Sequence, residues 1–177
     1  MQIVSTRCRI FEYTVTAQGP CAVDTGWEVG VHRHFHDCLR VRVGVDHGDL
    51  ALADAAVRTI RRLIGETGAR EVVIDGVAHV PVAGDRLPVT AKVDVLAALA
   101  DTLDVLVAIA ERLERRGELV HLMPFGWHKA CRIEEVPGPG ARRVIRLPAE
   151  GGPAERGSPG AHPLAGWRRR GRCVAGS

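Results

Sequence analysis

The alternation of apolar and charged residues over positions 39–45 constrains the fold more than any other feature of the chain. Leucine and valine occupy the odd positions of this segment, and Arg40 and Arg42 lie between them. A period of two is typical of a strand with one buried face. Strand-like and helix-like segments alternate along the first 148 residues, which predicts an α/β domain.

The remaining predicted elements complete this pattern. In chain order we expect strands at 2–5, 11–16 and 39–45, a helix at 52–64, a strand at 71–74, an irregular segment at 75–87, a helical region at 89–116, and strands at 119–122, 127–133 and 142–147. Asp49 is the predicted helix cap, and Gly65 or Gly68 the predicted helix end. The last two strands are expected to form a hairpin. The fold prediction is a mixed β-sheet with two main helices packed on one face.

Length and composition indicate an ordinary globular domain with a tail. The chain has 177 residues, of which 46% are hydrophobic and 25% charged. No apolar run has the length of a membrane span and no signal-peptide pattern is present, so we expect a cytoplasmic protein without a membrane partner. The five cysteines show no paired spacing, which predicts reduced thiols.

The domain prediction divides the chain at two places. Residues 1–148 form the expected core, 149–161 a Gly/Pro-rich linker or insertion, and 162–177 a segment with His-Pro-Leu-Ala followed by a basic tail. The candidate phosphate contacts in this tail are Arg168, Arg169, Arg170 and Arg172. A disordered basic tail is the alternative interpretation.

Lys129 is the first candidate for chemistry. Only two of the 24 Lys and Arg residues are lysines, Lys92 and Lys129. Unlike a guanidinium, an amine can lose its proton when desolvated, and it acts as a compact donor. The proline and glycine of residues 123–131, Met-Pro-Phe-Gly-Trp-His-Lys-Ala-Cys, predict a turn before the lysine. Lys129 could therefore hold a water or stabilise an oxyanion, and a lysine extending from a strand edge into solvent is the alternative.

Two histidine-bearing segments are weaker candidates. His79 follows a predicted strand, a position where α/β proteins often place polar site residues; a histidine satisfied by a backbone carbonyl is the alternative. His32, His34, His36 and Cys38 would share one side of an extended strand, as a metal site requires. A polar, partly exposed edge or loop is the favoured interpretation of that segment.

Several segments together resemble the archaeal-type threonyl-tRNA synthetase editing domain. Residues 10–15 (Ile-Phe-Glu-Tyr-Thr-Val) resemble its N-terminal strand, 76–79 (Gly-Val-Ala-His) its Pro-Phe-Ala-His loop, 123–131 its Ala-Pro-Phe-Gly-Tyr-Tyr-Lys-Ala-Phe segment, and 161–166 (Ala-His-Pro-Leu-Ala-Gly) its Gly-His-Pro-Leu-Ala-Glu segment. The order matches along nearly the whole chain, and the Pro-Phe-Gly and Lys-Ala block is its most specific part. The resemblance implies a fold like that of D-aminoacyl-tRNA deacylases.

The resemblance also implies a function, translational proofreading by a free-standing aminoacyl-tRNA deacylase. Such an enzyme hydrolyses mischarged seryl-tRNA(Thr) in trans, because one methyl group is worth only about 1–3 kcal/mol of discrimination in a binding pocket. Lys129 and His79 are the implied catalytic residues, the lysine placing the attacking water and the histidine lining the aminoacyl pocket. The implied substrate-binding residues are Ala78, Pro124, Phe125, Gly126, Trp127, His128 and His162. No cofactor or metal is implied. The expected partners are threonine tRNA, a second copy of the chain in a homodimer, and a threonyl-tRNA synthetase.

Some positions depart from the family pattern. Gly166 replaces the acidic residue that ends its last motif, so a polar partner for the lysine is either missing or supplied by Glu134 or Glu135. Trp127 and His128 replace a tyrosine pair, residues 6–8 (Thr-Arg-Cys) replace a His-Ser-Asp motif, and a Gly/Pro-rich insertion precedes His162. These departures keep two alternatives open: a non-catalytic module that binds tRNA or a synthetase, and a metal-binding protein that uses the histidine segment.

Overall fold

The protein is described by a computed structural model covering residues 1–22, 26, 28–46, 48–78, 95–138 and 140–148. The strands are β1 (Gln2–Gln18), β2 (His32–Val45), β3 (Glu71–Ala78), β4 (Val120–Leu122), β5 (Trp127–Glu135) and β6 (Arg142–Arg146), and the helices are α1 (Ala53–Thr67) and α2 (Val95–Glu114). A short 3-10 helix, Asp49–Leu52, precedes α1. The predicted linker and tail, residues 149–177, lie outside the described residues.

The strands form a single mixed sheet with the order β4-β3-β2-β1-β5. The pairs β2–β3 and β3–β4 are parallel, whereas β1 pairs antiparallel with β2, β5 and β6. Strand β1 is long enough to hold two neighbours on one edge, β6 along its first residues and β5 along the rest. The predicted mixed α/β sheet is confirmed.

One face of the sheet is covered by both helices. Its core is aliphatic: side chains such as Ile3, Val41, Val43 and Ile74 from the strands pack with Ile60, Leu63, Leu106 and Ile109 from the helices. The apolar positions of residues 39–45 all face this core, because alternate strand residues point to the same side. The predicted placement of two helices on one face is therefore confirmed.

The opposite face has a smaller core of different composition. It contains aromatic residues and thiols, namely Cys8, Phe11, Tyr13, Val15, Phe35, Cys38, Val73 and Met123. The rings of Phe11, Tyr13 and Phe35 lie within 6.2 Å of one another. Aromatic pairs at such centroid separations add to the stabilisation from buried area.

Three strand predictions need correction. The strands predicted at 2–5 and 11–16 are one continuous strand, since the intervening Arg7 is anchored by hydrogen bonds to Asp37 and to the carbonyl of Thr67. Strand β3 continues through Asp75 to Ala78, where an irregular segment was expected. Strand β6 pairs with β1 and not with β5, because β5 leaves the first residues of β1 free for pairing.

The ends of α1 also differ from expectation in one respect. Gly68 ends the helix with a left-handed φ of 62°, as predicted. Asp49 does not cap it. Its buried carboxylate instead accepts the N–H of Asp46 at 2.7 Å and lies 3.0 Å from the amino terminus of Met1. The aspartate thus joins the start of the chain to the start of the helical layer.

Candidate active site

A sharp turn delivers Lys129 to the sheet. Gly126 has a φ of 79°, and a Cβ at this position would collide with the backbone of Cys21. Only glycine fits both requirements. Strand β5 begins directly afterwards, and Lys129 lies opposite Val15 of β1 in the antiparallel register. The side chain therefore projects over the face of the sheet that lacks helices.

The Lys129 amine is fixed by two partners. Its Nζ donates a hydrogen bond to the carbonyl oxygen of Pro124 at 2.8 Å and lies 3.6 Å from Oδ1 of Asp75. The side chain is only 13% exposed. A lysine extending freely into solvent is thereby ruled out. Among the described residues, these two partners leave at least one of the three ammonium N–H donors open to a ligand.

Asp75 is the centre of a cationic cluster. Its Oδ2 accepts hydrogen bonds from Arg40 Nη2 at 2.8 Å and from Arg42 Nη2 and Nε at 3.1 and 3.2 Å. Burial opposes ionisation, but Arg40, Lys129 and Arg42 outweigh it and hold the pKa of this carboxyl below its usual range. Three cations thus share one buried carboxylate. We call Lys129, Asp75, Arg40 and Arg42 the charged cluster.

The sheet must curl to bring this cluster together. Asp75 belongs to β3 and Lys129 to β5, with β2 and β1 between them in the sheet order. Adjacent strands lie about 4.8 Å apart, so in a flat sheet a lysine could not span three such steps to reach the aspartate. The 3.6 Å separation of their charged atoms shows that the helix-free face is concave.

Cys131 and His121 are further titratable groups on this concave face. Burial raises the pKa of the Cys131 thiol, two residues beyond Lys129, which disfavours the nucleophilic thiolate. The His121 ring lies 2.7 Å from the Tyr13 hydroxyl. Burial, helped by the charge of Arg33, lowers the pKa of His121 to about 4. This histidine is therefore neutral near pH 7.

The structure describes some of the residues predicted around Lys129, whereas others lie outside the described ranges. Pro124 is buried and offers its carbonyl to the amine, Phe125 packs against the helix-covered core, and Trp127 packs against the aromatic core. His128, an implied substrate-binding residue, is exposed. Ala78 ends β3, three residues after Asp75. His79, His162, Arg168, Arg169, Arg170 and Arg172 lie outside the described residues, so their roles stay predictions.

The acidic partner of the lysine was not predicted correctly. Glu134 pairs with Arg9 at 3.1 Å on the surface, and Glu135 is exposed. Asp75 is the acidic partner of Lys129 instead. One signal in the sequence pointed to it, namely an aspartate directly after the apolar run Val-Val-Ile, where a buried strand continues.

The histidine segment is a strand with a change of face. His32, His34 and His36 are exposed on the first part of β2, which agrees with the polar edge that was favoured, whereas Cys38 is buried. The left-handed backbone of Asp37, with a φ of 56°, interrupts the alternation between them. Across the described ranges, no group of three or more His, Cys, Asp or Glu side chains is arranged to hold a metal ion.

Comparison with known proteins gives one sequence relative and one structural neighbour of interest. The chain is 34% identical over 101 residues to a threonine–tRNA ligase of Methanopyrus kandleri. This match covers 55% of the chain and 14% of the ligase, so the chain spans about one seventh of that relative. No family model matches.

The structural neighbour is a solved chain described as a c-Myc DNA unwinding element binding protein. It superposes with a TM-score of 0.53 at 16% identity, covering 84% of this chain and all of the neighbour. At this identity the similarity concerns the fold alone, and it agrees with the predicted α/β fold of a mixed sheet with two helices. Within the described residues, neither helix is long and apolar enough to cross a membrane.

Proposed function

We propose that the protein is an aminoacyl-tRNA deacylase that removes serine from mischarged threonine tRNA in trans. The observation that carries this proposal is the fixed ammonium of Lys129, which retains a free donor on a concave face. Similarity to part of a threonine–tRNA ligase supports a role in tRNA editing. Threonine tRNA is then the proposed partner, and association with a synthetase or a second copy remains a prediction.

The proposed reaction needs a positive donor at the ester. Water forms a bond to the carbonyl carbon, negative charge develops on the carbonyl oxygen, and the ribose oxygen leaves with a proton derived from the water. Lys129 Nζ stabilises the developing charge. Loss of one such preorganised donor typically costs about 10²–10³ in rate.

The ion pair defines what Lys129 contributes. An ammonium held beside the Asp75 carboxylate is a hydrogen-bond donor, not a proton acceptor. Lys129 therefore orients the water or stabilises the oxyanion in this proposal, and it does not act as a general base. Asp75 is a positioning residue, since it acts through the lysine.

Substrate choice is proposed to follow from the pocket walls. Threonine carries one methyl group more than serine, and a wall that admits only the smaller side chain gives the required second selection. Pro124 is buried next to the amine, and Ala78 ends the strand that carries Asp75. Together with His79 from the sequence prediction, they are the proposed walls.

The test is hydrolysis of seryl-tRNA(Thr) and threonyl-tRNA(Thr) by the wild type and by Lys129→Met. We expect rapid loss of the serine ester alone, and a decrease of at least about 100-fold in the variant. Arg132→Met is the matched control. This cation lies on the same strand with a 73% exposed side chain and only a 3.8 Å contact to Glu12. Unchanged hydrolysis in Lys129→Met would overturn the catalytic role.

A second function is favoured by the contacts that the Lys129 amine makes within the protein. Because Pro124 and Asp75 both engage the amine within the protein, the charged cluster could serve binding alone. The protein would then be a non-catalytic module for tRNA or a synthetase. Salt-sensitive tRNA binding without hydrolysis of any aminoacyl ester would support this function over the first.

A further inference from the structure

An arginine-lined pocket adjoins the charged cluster. It is bounded by Arg40 and Arg42 of β2, by Arg142 of β6, and by side chains from β1 and β5, which are Val4, Thr6, Ile133 and Glu135. Arg40 and Arg42 also hold Asp75, so the pocket and the Lys129 site share two walls. The pocket thus lies on the same concave face as the proposed reaction centre.

The charges of this region do not balance within the described residues. Four cations, Arg40, Arg42, Arg142 and Lys129, face two carboxylates, Asp75 and Glu135. The excess is two positive charges, and two of the cations have side chains that are 12% and 13% exposed. Arg40 and Lys129 share the single charge of Asp75 with Arg42, so their partly desolvated charges are only partly offset, which is costly. An anionic ligand would offset that cost.

Arg40 provides the second observation. Its guanidinium lies 5.2 Å from the centre of the Phe11 ring and donates to Asp75 through Nη2, so its orientation is fixed. Its Nε is buried and has no hydrogen-bond partner among the described residues. Buried donors are nearly always satisfied. The geometry is that of a guanidinium whose orientation is fixed before a ligand binds.

We propose that Arg40, Arg42 and Arg142 form a binding site for a phosphate group. Guanidinium groups are well suited to phosphate because their planar N–H donors match its oxygens. In the proposed substrate, the phosphodiester on the 5′ side of the terminal adenosine is separated from the aminoacyl ester by a single ribose. The site would therefore bind this phosphate while Lys129 faces the ester. This identification of the ligand rests on the proposed function, whereas the anion site itself does not.

The test compares three small probes on the full chain by NMR titration: adenosine, the dinucleotide cytidylyl-(3′→5′)-adenosine, and inorganic phosphate. The dinucleotide should bind at least about tenfold more tightly than adenosine, as a charge-assisted hydrogen bond permits. Arg42→Gln and Arg142→Gln should each remove most of this advantage. Arg58→Gln, an exposed arginine on α1, is the matched control and should retain it.

The outcomes separate the site from its ligand source and from the enzyme activity. Displacement of the dinucleotide by inorganic phosphate would assign a free phosphate group as a ligand, and failure to displace it would assign the phosphodiester of an RNA end. Equal affinity for adenosine and the dinucleotide, or an advantage untouched in folded Arg142→Gln, would overturn the site. Because no probe carries an ester, a failed deacylation assay leaves this result standing, and the reverse also holds.

Discussion

The two faces of the sheet differ in composition and in the work they do. The helix-covered face is aliphatic and holds Ile60, Leu63 and Ile74 with no exposure. The concave face combines an aromatic core with the charged cluster around Asp75. One sheet thus separates the residues that stabilise the domain from those that can bind a charged ligand, because alternate residues of each strand face opposite sides.

Because the main core and the charged cluster lie on opposite faces, stability can be altered on the helix-covered face without altering the chemistry. A substitution on the helix-covered face should change the free energy of unfolding without touching Lys129. A substitution in the charged cluster should change both, since the cluster is partly buried and its charges depend on one another. Four predictions test this separation.

The largest stability effect is expected on the helix-covered face. Ile60→Ala removes a fully buried side chain of α1 and should lower the free energy of unfolding by about 4 kcal/mol through lost burial and a cavity. Urea denaturation of the two proteins measures the difference. Leu50→Ala, at a 51% exposed position of the same helical layer, is the control and should change stability by less than about 1 kcal/mol. Similar losses in both variants would contradict the assignment of the main core.

Removing the central charge of the concave face should have the next largest effect. Asp75→Asn leaves Arg40, Arg42 and Lys129 without their shared carboxylate, and about 3 kcal/mol of stability should be lost at pH 7. Asp37→Asn breaks a comparable contact to Arg7 at a carboxylate that is 51% exposed, and should cost less than about 1 kcal/mol. Equal effects would show that the cluster is not an energetic unit.

The same aspartate predicts an acid dependence with a defined sign. Its pKa is lower in the folded protein than in the unfolded chain, so the unfolded chain takes up its proton first as pH falls. The contribution is complete above the ordinary aspartate pKa of about 3.9, and disappears as the pH falls through the folded value. Urea midpoints measured across this range should fall more steeply for the wild type than for Asp75→Asn.

The smallest effect concerns His121 at the edge of the aromatic core. Its pKa of about 4 lies below the ordinary histidine value of 6.5. Protons therefore bind the unfolded chain first, and about 2 kcal/mol of stability should be lost between pH 7 and pH 4.5. His121→Gln should lose less over this interval. An NMR titration of the wild type showing His121 protonated at pH 6 would contradict the assignment.

Sequence patterns predicted the helix-covered face better than the concave face. The alternation over residues 39–45 and the spacing of α1 depend on local periodicity, which a sequence shows directly. The contact between Asp75 and Lys129 joins strands far apart in the sheet order, and it depends on sheet curvature that no local pattern reports. Lys129 could be identified from the sequence as a candidate site residue, because lysine is rare in this arginine-rich chain.

The incorrect predictions for β1 and for the histidine segment have similar causes. Arg7 interrupts the apolar alternation of β1, yet the strand continues because Asp37 and the carbonyl of Thr67, both distant in sequence, satisfy the guanidinium. The left-handed Asp37 places Cys38 on another face from the neighbouring histidines, an effect that a period of two cannot anticipate. In each instance tertiary contacts or a single backbone angle overrode the local pattern.

The most direct test of the central claim is the single-turnover rate of seryl-tRNA(Thr) hydrolysis per folded molecule, measured side by side for Ile60→Ala and Lys129→Met. Ile60→Ala should keep a rate within about threefold of the wild type despite its lower stability, whereas Lys129→Met should lose at least about 100-fold while remaining folded. Equal rates in the folded fractions of both variants would contradict the claim that the concave face carries the chemistry.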